Sequence, residues 1–394
     1  MPCSLCPVPY LLKIEPSHPQ GDSETMQEAI AAALNKQDFR VAAALLQQWK
    51  EKDPQNPWLL LMIGQYQEAT ERWEAAEKTY LKLLRQSTNP KLMGQARQGI
   101  QRVQTQLTEA REEALETARA QPDSQDPALL FLEPVQGEQR QAAAQGLAKV
   151  MQMDAYTARL QLPGKGWRLY RVGALGEMQY YSQALTEAET PAFWIKHADV
   201  KALQVFRIQY FRRVQSQAEV ICQNADGQLG AIAFDWSEVS QMVMGQVPLF
   251  ESVIDTDAFR KLQRKEKTQD YAEVVDLHLH QRKCILRVCD RTYDYRQGNP
   301  LPDSQAIPDQ TLSTRPQWNA LVAYIREQVK TPVHTGFTQF GEGSLEYLDL
   351  LPVLNPHLNL SRTKSSNWDP AFHLYSSLHF LRYSGTTVAT ANEV

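Results

Sequence analysis

The chain repeats itself near its start, and no other feature constrains its fold as tightly. Ser23–Asn56 can be laid over Pro57–Pro90 as two blocks of 34 residues. Phe39 then falls on Trp73, Ala42 on Ala76, Leu46 on Tyr80 and Ile30 on Gly64. A small residue followed four places later by a large one suits two closely packed helices. The small side chain lets the helices approach, and the large one fills the groove beside it. Pro54 closes the first block and Pro90 the second; a residue without an N–H, crowding the preceding turn, ends a helix. From Lys91 a third block offers only Ala110 and Pro122 at matching places. Instead Ile100, Val103, Leu107, Ala110 and Ala114 recur at helical spacing, which predicts one long amphipathic helix over Leu92–Ala120 that caps the second hairpin. Glu109, Arg111, Glu112 and Glu113 fall on its solvated side.

A 34-residue helical-hairpin period resembles the tetratricopeptide repeat (TPR) family. Ile63-Gly64 matches its seventh and eighth positions, Phe39 and Trp73 its aromatic before the second helix, and Ala42 and Ala76 its small residue. The chain departs from the pattern at Ile30, which replaces a Gly, and at Gln67, where a Tyr is common. The resemblance implies a non-enzymatic protein–protein interaction module, an adaptor in assembly or regulation of a complex, with a peptide received on the concave face of the first helices. In this register that face carries Gln27, Ala31, Leu34, Trp58, Leu61, Gln65 and Glu68. Two clear repeats make a short groove, so docking of the C-terminal domain into it rivals a separate partner. With Asp154–Leu160 and Gly166–Tyr170 behind it, this front is similar to TPR-containing proteins of cyanobacteria, a likeness that brings no function with it.

At 394 residues the chain is long enough for two domains or three. Its formal charge of −4 gives no support for nucleic-acid binding by the whole protein. No run of 18 apolar residues exists to span a membrane, and Met1–Gln20 lacks the apolar core of a secretory signal, so the expectation is a cytoplasmic protein. Five cysteines, Cys3, Cys6, Cys222, Cys284 and Cys289, form a poor disulfide framework. Cys3-Ser-Leu-Cys6 lacks the second pair of a zinc site, and no cofactor is expected.

The domain plan runs as follows. A lead over 1–22 precedes the helical domain 23–120, and a Pro- and Asp-rich linker covers 121–137, with the apolar strap Ala128–Leu132 inside it. A small α+β unit over 138–200 should hold a helix at Glu138–Met151, strands at Tyr156–Leu162 and Trp167–Val172, a helix near Leu175–Ala188 and a strand at Ala192–Lys196. Pro163–Gly166 reads as the turn between the first two strands; it lacks the context of a phosphate loop. A β-meander with a closing helix over 201–330 has strands at Leu203–Arg213, Ala218–Gln223, Leu229–Asp235, Leu249–Ile254, Ala272–His280, Cys284–Asp290 and Tyr293–Arg296. Asp235–Glu238 is an approximate capping box for a short helix toward Met244. Thr314 caps the closing helix, with Trp318, Leu321, Ile325 and Val329 as its buried stripe. Such a meander is similar to the pleckstrin-homology-like barrel, a likeness of fold alone. A wrapping segment and a last helix, with Ala371, Leu374, Leu378 and Leu381 on one face, occupy 331–383, and a tail 384–394 is expected to be disordered. The fold class is thus α+β multidomain.

Possible chemistry is sparse. Asp276, His278 and His280 share one strand face, a pattern that can ligate a metal. The plainer reading is a polar outer face with Val275, Leu277 and Leu279 turned inward. Arg260, Lys261, Arg264, Lys265 and Lys267 form the densest basic run and support an alternative function: binding of a ligand or anionic surface by the C-terminal domain. The chain has no G-x-S-x-G, H-E-x-x-H or glycine-rich nucleotide loop, so an enzymatic reading would need a site in the 331–367 region.

Overall fold

The computed structural model describes residues 19–215, 217–256, 262–298, 314–349, 353–362 and 365–383, without the side chains at 19–22, 251–256 and 262–267. The chain divides into two compact units, Met1–Glu116 and Thr117–Val394.

The first unit is built from helices α1 (Pro19–Asn35), α2 (Phe39–Lys52), α3 (Pro57–Ala69), α4 (Trp73–Gln86) and α5 (Pro90–Arg119), the last running across the division. Asp38 and Asn56 mark two helix starts, where their side chains accept from the N–H of Val41 and Trp58. Ala42, Ala76 and Tyr80 are fully buried. Tyr80 explains the glycines. A Cβ on Gly64 would collide with one edge of its ring, and a Cβ on Gly99 would lie 2.6 Å from the other. One aromatic ring is therefore clasped between α3 and α5 where both backbones come close. The long capping helix expected after the second hairpin is present as α5, with Leu92, Ala96 and Val103 buried.

The second unit continues with β1 (Pro127–Leu132), α6 (Gln139–Met151), α7 (Ala155–Gln161), β2 (Arg168–Ala174), α8 (Leu175–Glu187), β3 (Ala192–Lys196) and α9 (His197–Ala202). Next come β4 (Gln204–Arg213), β5 (Gln217–Gln223), β6 (Leu229–Asp235), β7 (Gln241–Thr256), β8 (Leu262–Leu279) and β9 (Cys284–Cys289). It ends with α10 (Thr314–Gln328), β10 (Val333–His334), α11 (Phe337–Glu342), α12 (Leu345–Leu348) and α13 (Trp368–Tyr383). A three-stranded antiparallel sheet has the order β2-β1-β3, and a seven-stranded sheet has the order β10-β7-β8-β9-β4-β5-β6.

The mixed α+β class holds, with helices leading and sheets following. Several local expectations do not hold. Ala128–Leu132, expected as a strap in a linker, is the central strand of the small sheet, with every one of its residues inaccessible to solvent. Tyr156–Leu162 is helix α7, not a strand. Asp154 accepts from Thr157 N–H at 2.9 Å and caps it, while Tyr156 and Leu160 stay exposed, so the alternation was never a buried face. The Asp235–Glu238 capping box forms, but it opens only one 3-10 turn before β7 begins at Gln241. Tyr293–Arg296 is not a strand but irregular chain leading into a turn. The large sheet is two three-stranded meanders, β4-β5-β6 and β7-β8-β9, joined by parallel pairing of β4 with β9 and extended by β10 parallel to β7, rather than one continuous meander.

One apolar cluster combines small-sheet residues (Leu129, Phe131, Leu169, Phe193), large-sheet residues (Val243, Val247, Ala272, Val274) and α13 residues (Phe372, Leu374, Leu378). A second places Val275, Leu277 and Leu279 of β8 with Trp318, Leu321 and Ile325 of α10. Strand residues alternate faces, so α13 covers one face of the large sheet and α10 the other. Helix α13 accordingly shows no amphipathic stripe: Phe372, His373, Tyr375, Ser376 and Ser377 are buried together with Ala371, Leu374 and Leu378.

Candidate functional site

The expected groove residues of the first unit separate into two groups. Leu61 is only 1% exposed and belongs to the core, so it cannot line a surface. Glu68 is occupied: its carboxylate accepts the Tyr80 hydroxyl at 2.5 Å and Arg102 Nε and Nη2 at 3.0 and 2.8 Å. This contact ties α3, α4 and α5 together, and the Tyr80 hydroxyl is pushed upward by burial and by Glu68. Gln27, Ala31, Leu34, Trp58 and Gln65 remain half-buried. Gln27 donates to Ser23 Oγ, and the Lys91 ammonium lies 5.6 Å above the Trp58 ring.

The basic run divides differently. Arg260 and Lys261 lie outside the described residues, and Arg264, Lys265 and Lys267 pair through their backbones within β8; their side chains are not described.

Asp276 and His278 do not form a polar outer face. Both are completely buried, because α13 lies over that side of β8. Arg287 of β9, itself 1% exposed, donates from Nε and Nη2 to both Asp276 oxygens at 2.8 and 2.7 Å. Its Nη1 donates to the Pro356 carbonyl. Ser376 of α13 donates to Asp276 Oδ2 at 2.5 Å, and its oxygen meets His278 Nε2 at 2.9 Å. The histidine therefore carries its proton on Nε2 and accepts at Nδ1 from Gln241 Nε2 at 3.0 Å. Gln241 Nε2 also donates to the His379 carbonyl at 2.6 Å, which fixes the amide, and its Oε1 accepts from His334 Nε2 at 3.1 Å.

The result is a one-way chain of donors, His334 to Gln241 to His278 to Ser376 to Asp276, where the carboxylate also accepts from the Arg287 guanidinium. It contains the residue types of a Ser-His-Asp triad in the wrong order. The serine proton goes to the aspartate, and no side chain at the centre reaches solvent. Burial, then His280, His379 and Arg287, hold His278 well below the ordinary histidine range. The chain is suited to pinning α13 onto the sheet, since buried polar groups cost little only when every one is paired.

Its outer end opens into a cavity of about 510 Å³ among Gly166, Trp167, Gln241, His334, Gly336, Tyr375, His379, Arg382 and Tyr383. These residues come from the α7–β2 turn, the start of β7, β10 and α13. His379 stacks on His334 with centroids 3.8 Å apart, meets Trp167 at a tilt at 4.5 Å and lies edge-on against Tyr375 at 4.7 Å. Arg382 lies over Trp167 and Phe193, with Nη2 on Glu133 at 2.9 Å. Burial, then His334 and Arg382, push His379 down to about 3, and burial lowers His334, so both imidazoles are neutral.

Sequence reasoning missed this cavity. Its side chains are spread from 166 to 383 with no motif among them. Among the described residues no group of three or more His, Cys, Asp or Glu is arranged to hold a metal. Cys222, Cys284 and Cys289 are separate buried thiols, each pushed up to about 11 or 12 chiefly by burial. No helix among the described residues is long and apolar enough to cross a membrane. No protein-family model, curated protein or solved structure matches the chain.

Proposed function

We propose that this is a non-enzymatic interaction protein, whose TPR-like first unit receives a segment of another protein. The observation that carries the reading is the clasp of Tyr80 between Gly64 and Gly99. It spaces α3 and α5 as neighbouring first helices of a repeat array, with the half-buried Gln27, Ala31, Leu34, Trp58 and Gln65 on the helices of the expected groove. Leu61 and Glu68 support that groove from within. The buried Asp276–His278–Ser376 set offers no nucleophile against this reading: its hydrogen bonds run in the wrong sense and its serine is inaccessible.

The test is affinity purification of the full chain from its native cell, beside a Trp58→Ala/Gln65→Arg double variant and a control substituted at exposed Arg85. A partner retained by the control and lost by the double variant supports the reading. Equal partner sets, or no partner in any sample, overturn it.

A further inference from the structure

The cavity between the small sheet, β10 and α13 is built differently from the polar core beside it. Four aromatic or imidazole rings converge there, Trp167, His334, Tyr375 and His379, with ring-to-ring distances between 3.8 and 4.7 Å around His379. A fifth ring, Tyr383, stands 57% exposed at the mouth. Flat walls of this kind favour a flat occupant.

The polar groups narrow the choice further. His334 spends its Nε2 proton on Gln241, which leaves Nδ1 as a bare acceptor. The Tyr375 oxygen accepts from Gly336 N–H at 3.0 Å, which leaves the hydroxyl hydrogen to donate; burial raises this group to about 12, so it keeps that proton. The cavity thus offers His334 Nδ1 as an acceptor and the Tyr375 hydroxyl as a donor, beside His379 Nε2 and Arg382 Nη1, which are buried without a hydrogen-bond partner. Its one cation, Arg382, is neutralised by Glu133, and its histidines are uncharged. Nothing there requires a negative ligand. A volume of about 510 Å³ falls within the range of small-molecule sites.

We infer that this cavity binds an uncharged planar nitrogen heterocycle of two or three fused rings. One edge presents a donor to His334 and an acceptor to Tyr375, while the ring system packs against Trp167 and the His334–His379 stack. The site is independent of the protein-binding reading of the first unit, since it uses only residues of the second.

The test is calorimetric titration of the full chain at pH 7.5 with lumichrome, adenosine and 2-naphthoate, a flat anion without a ring nitrogen. At least one neutral heterocycle should bind saturably, and at least about tenfold more tightly than 2-naphthoate, a gap of about 1.4 kcal/mol. Trp167→Leu and Tyr375→Phe should each weaken that binding about tenfold. Tyr375 also anchors Gly336 and Trp167 packs in the core, so a third variant separates binding from folding. Thr335→Trp, at an exposed rim position, should block the cavity and abolish binding while leaving the melting temperature unchanged. The inference is overturned if no neutral heterocycle saturates, if 2-naphthoate binds best, or if Thr335→Trp leaves affinity intact.

Discussion

The two units solve the problem of close packing with opposite chemistry. The first brings helices together by deleting side chains: glycines at 64 and 99 let Tyr80 fill the gap, and its core is almost wholly apolar. The second brings a helix onto a sheet by burying charge, with Arg287, Asp276, Ser376, His278 and Gln241 bonded in sequence under α13. Apolar packing forgives partial failure better, because a lost contact costs its area and the cavity left behind but strands no charge. A buried ion pair does not, because a missing partner leaves a desolvated charge behind. The second unit should therefore be the more brittle of the two under single substitutions and under acid.

The largest effect should come from breaking the buried pair. Arg287→Met should cost about 3–5 kcal/mol in urea unfolding, because Asp276 is then left charged and dry. The double variant Asp276→Leu/Arg287→Met should recover most of that loss. A single-variant cost no larger than that of an ordinary surface substitution would break the contrast between the units.

Acid should discriminate between the units next. Residues 19–116 contain no histidine, whereas the second unit holds His278 and His373 well below their ordinary range and His379 at about 3, all chiefly through burial. In the unfolded chain such groups titrate near 6.5, so the unfolded state takes up protons first. Their stabilisation is complete above that value and is lost as pH falls below it. At pH 5 His379 alone should remove about 2 kcal/mol. Asp369, raised to about 6 by burial despite Arg362, acts the other way and returns part of this, since a raised carboxyl favours the fold as pH falls through its folded value. The net urea midpoint of the second unit should drop between pH 7.5 and 5, with the helical unit far less affected. A rise on acidification would sink the account.

Gly64→Ala should destabilise the first unit by about 1–3 kcal/mol through overpacking against Tyr80. Gly64→Ala/Tyr80→Leu should be less damaging than the sum of its parts, and strict additivity in thermal melts would refute the clasp. The smallest effect should come from helix caps. Asp154→Ala in the second unit and Asn56→Ala in the first should each lower the thermal midpoint only slightly. Because caps act locally, the two values should agree even though the cores differ.

Legibility also separated the units. Hairpin positions, Ala42 and Ala76 could be read from residues 34 apart, and the long capping helix from its apolar spacing, because each contact there joins neighbours in sequence. Between 204 and 289 β4, β5, β6 and β9 could be read as strands, but only the later parts of β7 and β8 could; Trp318, Leu321, Ile325 and Val329 could be read as a buried stripe. The site at 166–383 could not be read at all. Trp167, His334 and His379 look like three unrelated residues until β10 pairs with β7 and α13 crosses the sheet.

The sequence by itself determined the helical repeat, the mixed α+β class and most element positions, since periodicity and capping act over a few residues. Only the tertiary structure decided which side of each element was covered. Asp276 and His278 alternate with apolar neighbours just as a solvated face would. They are core residues because α13, about 100 residues later, lies on them and supplies Ser376, a pairing that depends on chain topology and leaves no local trace.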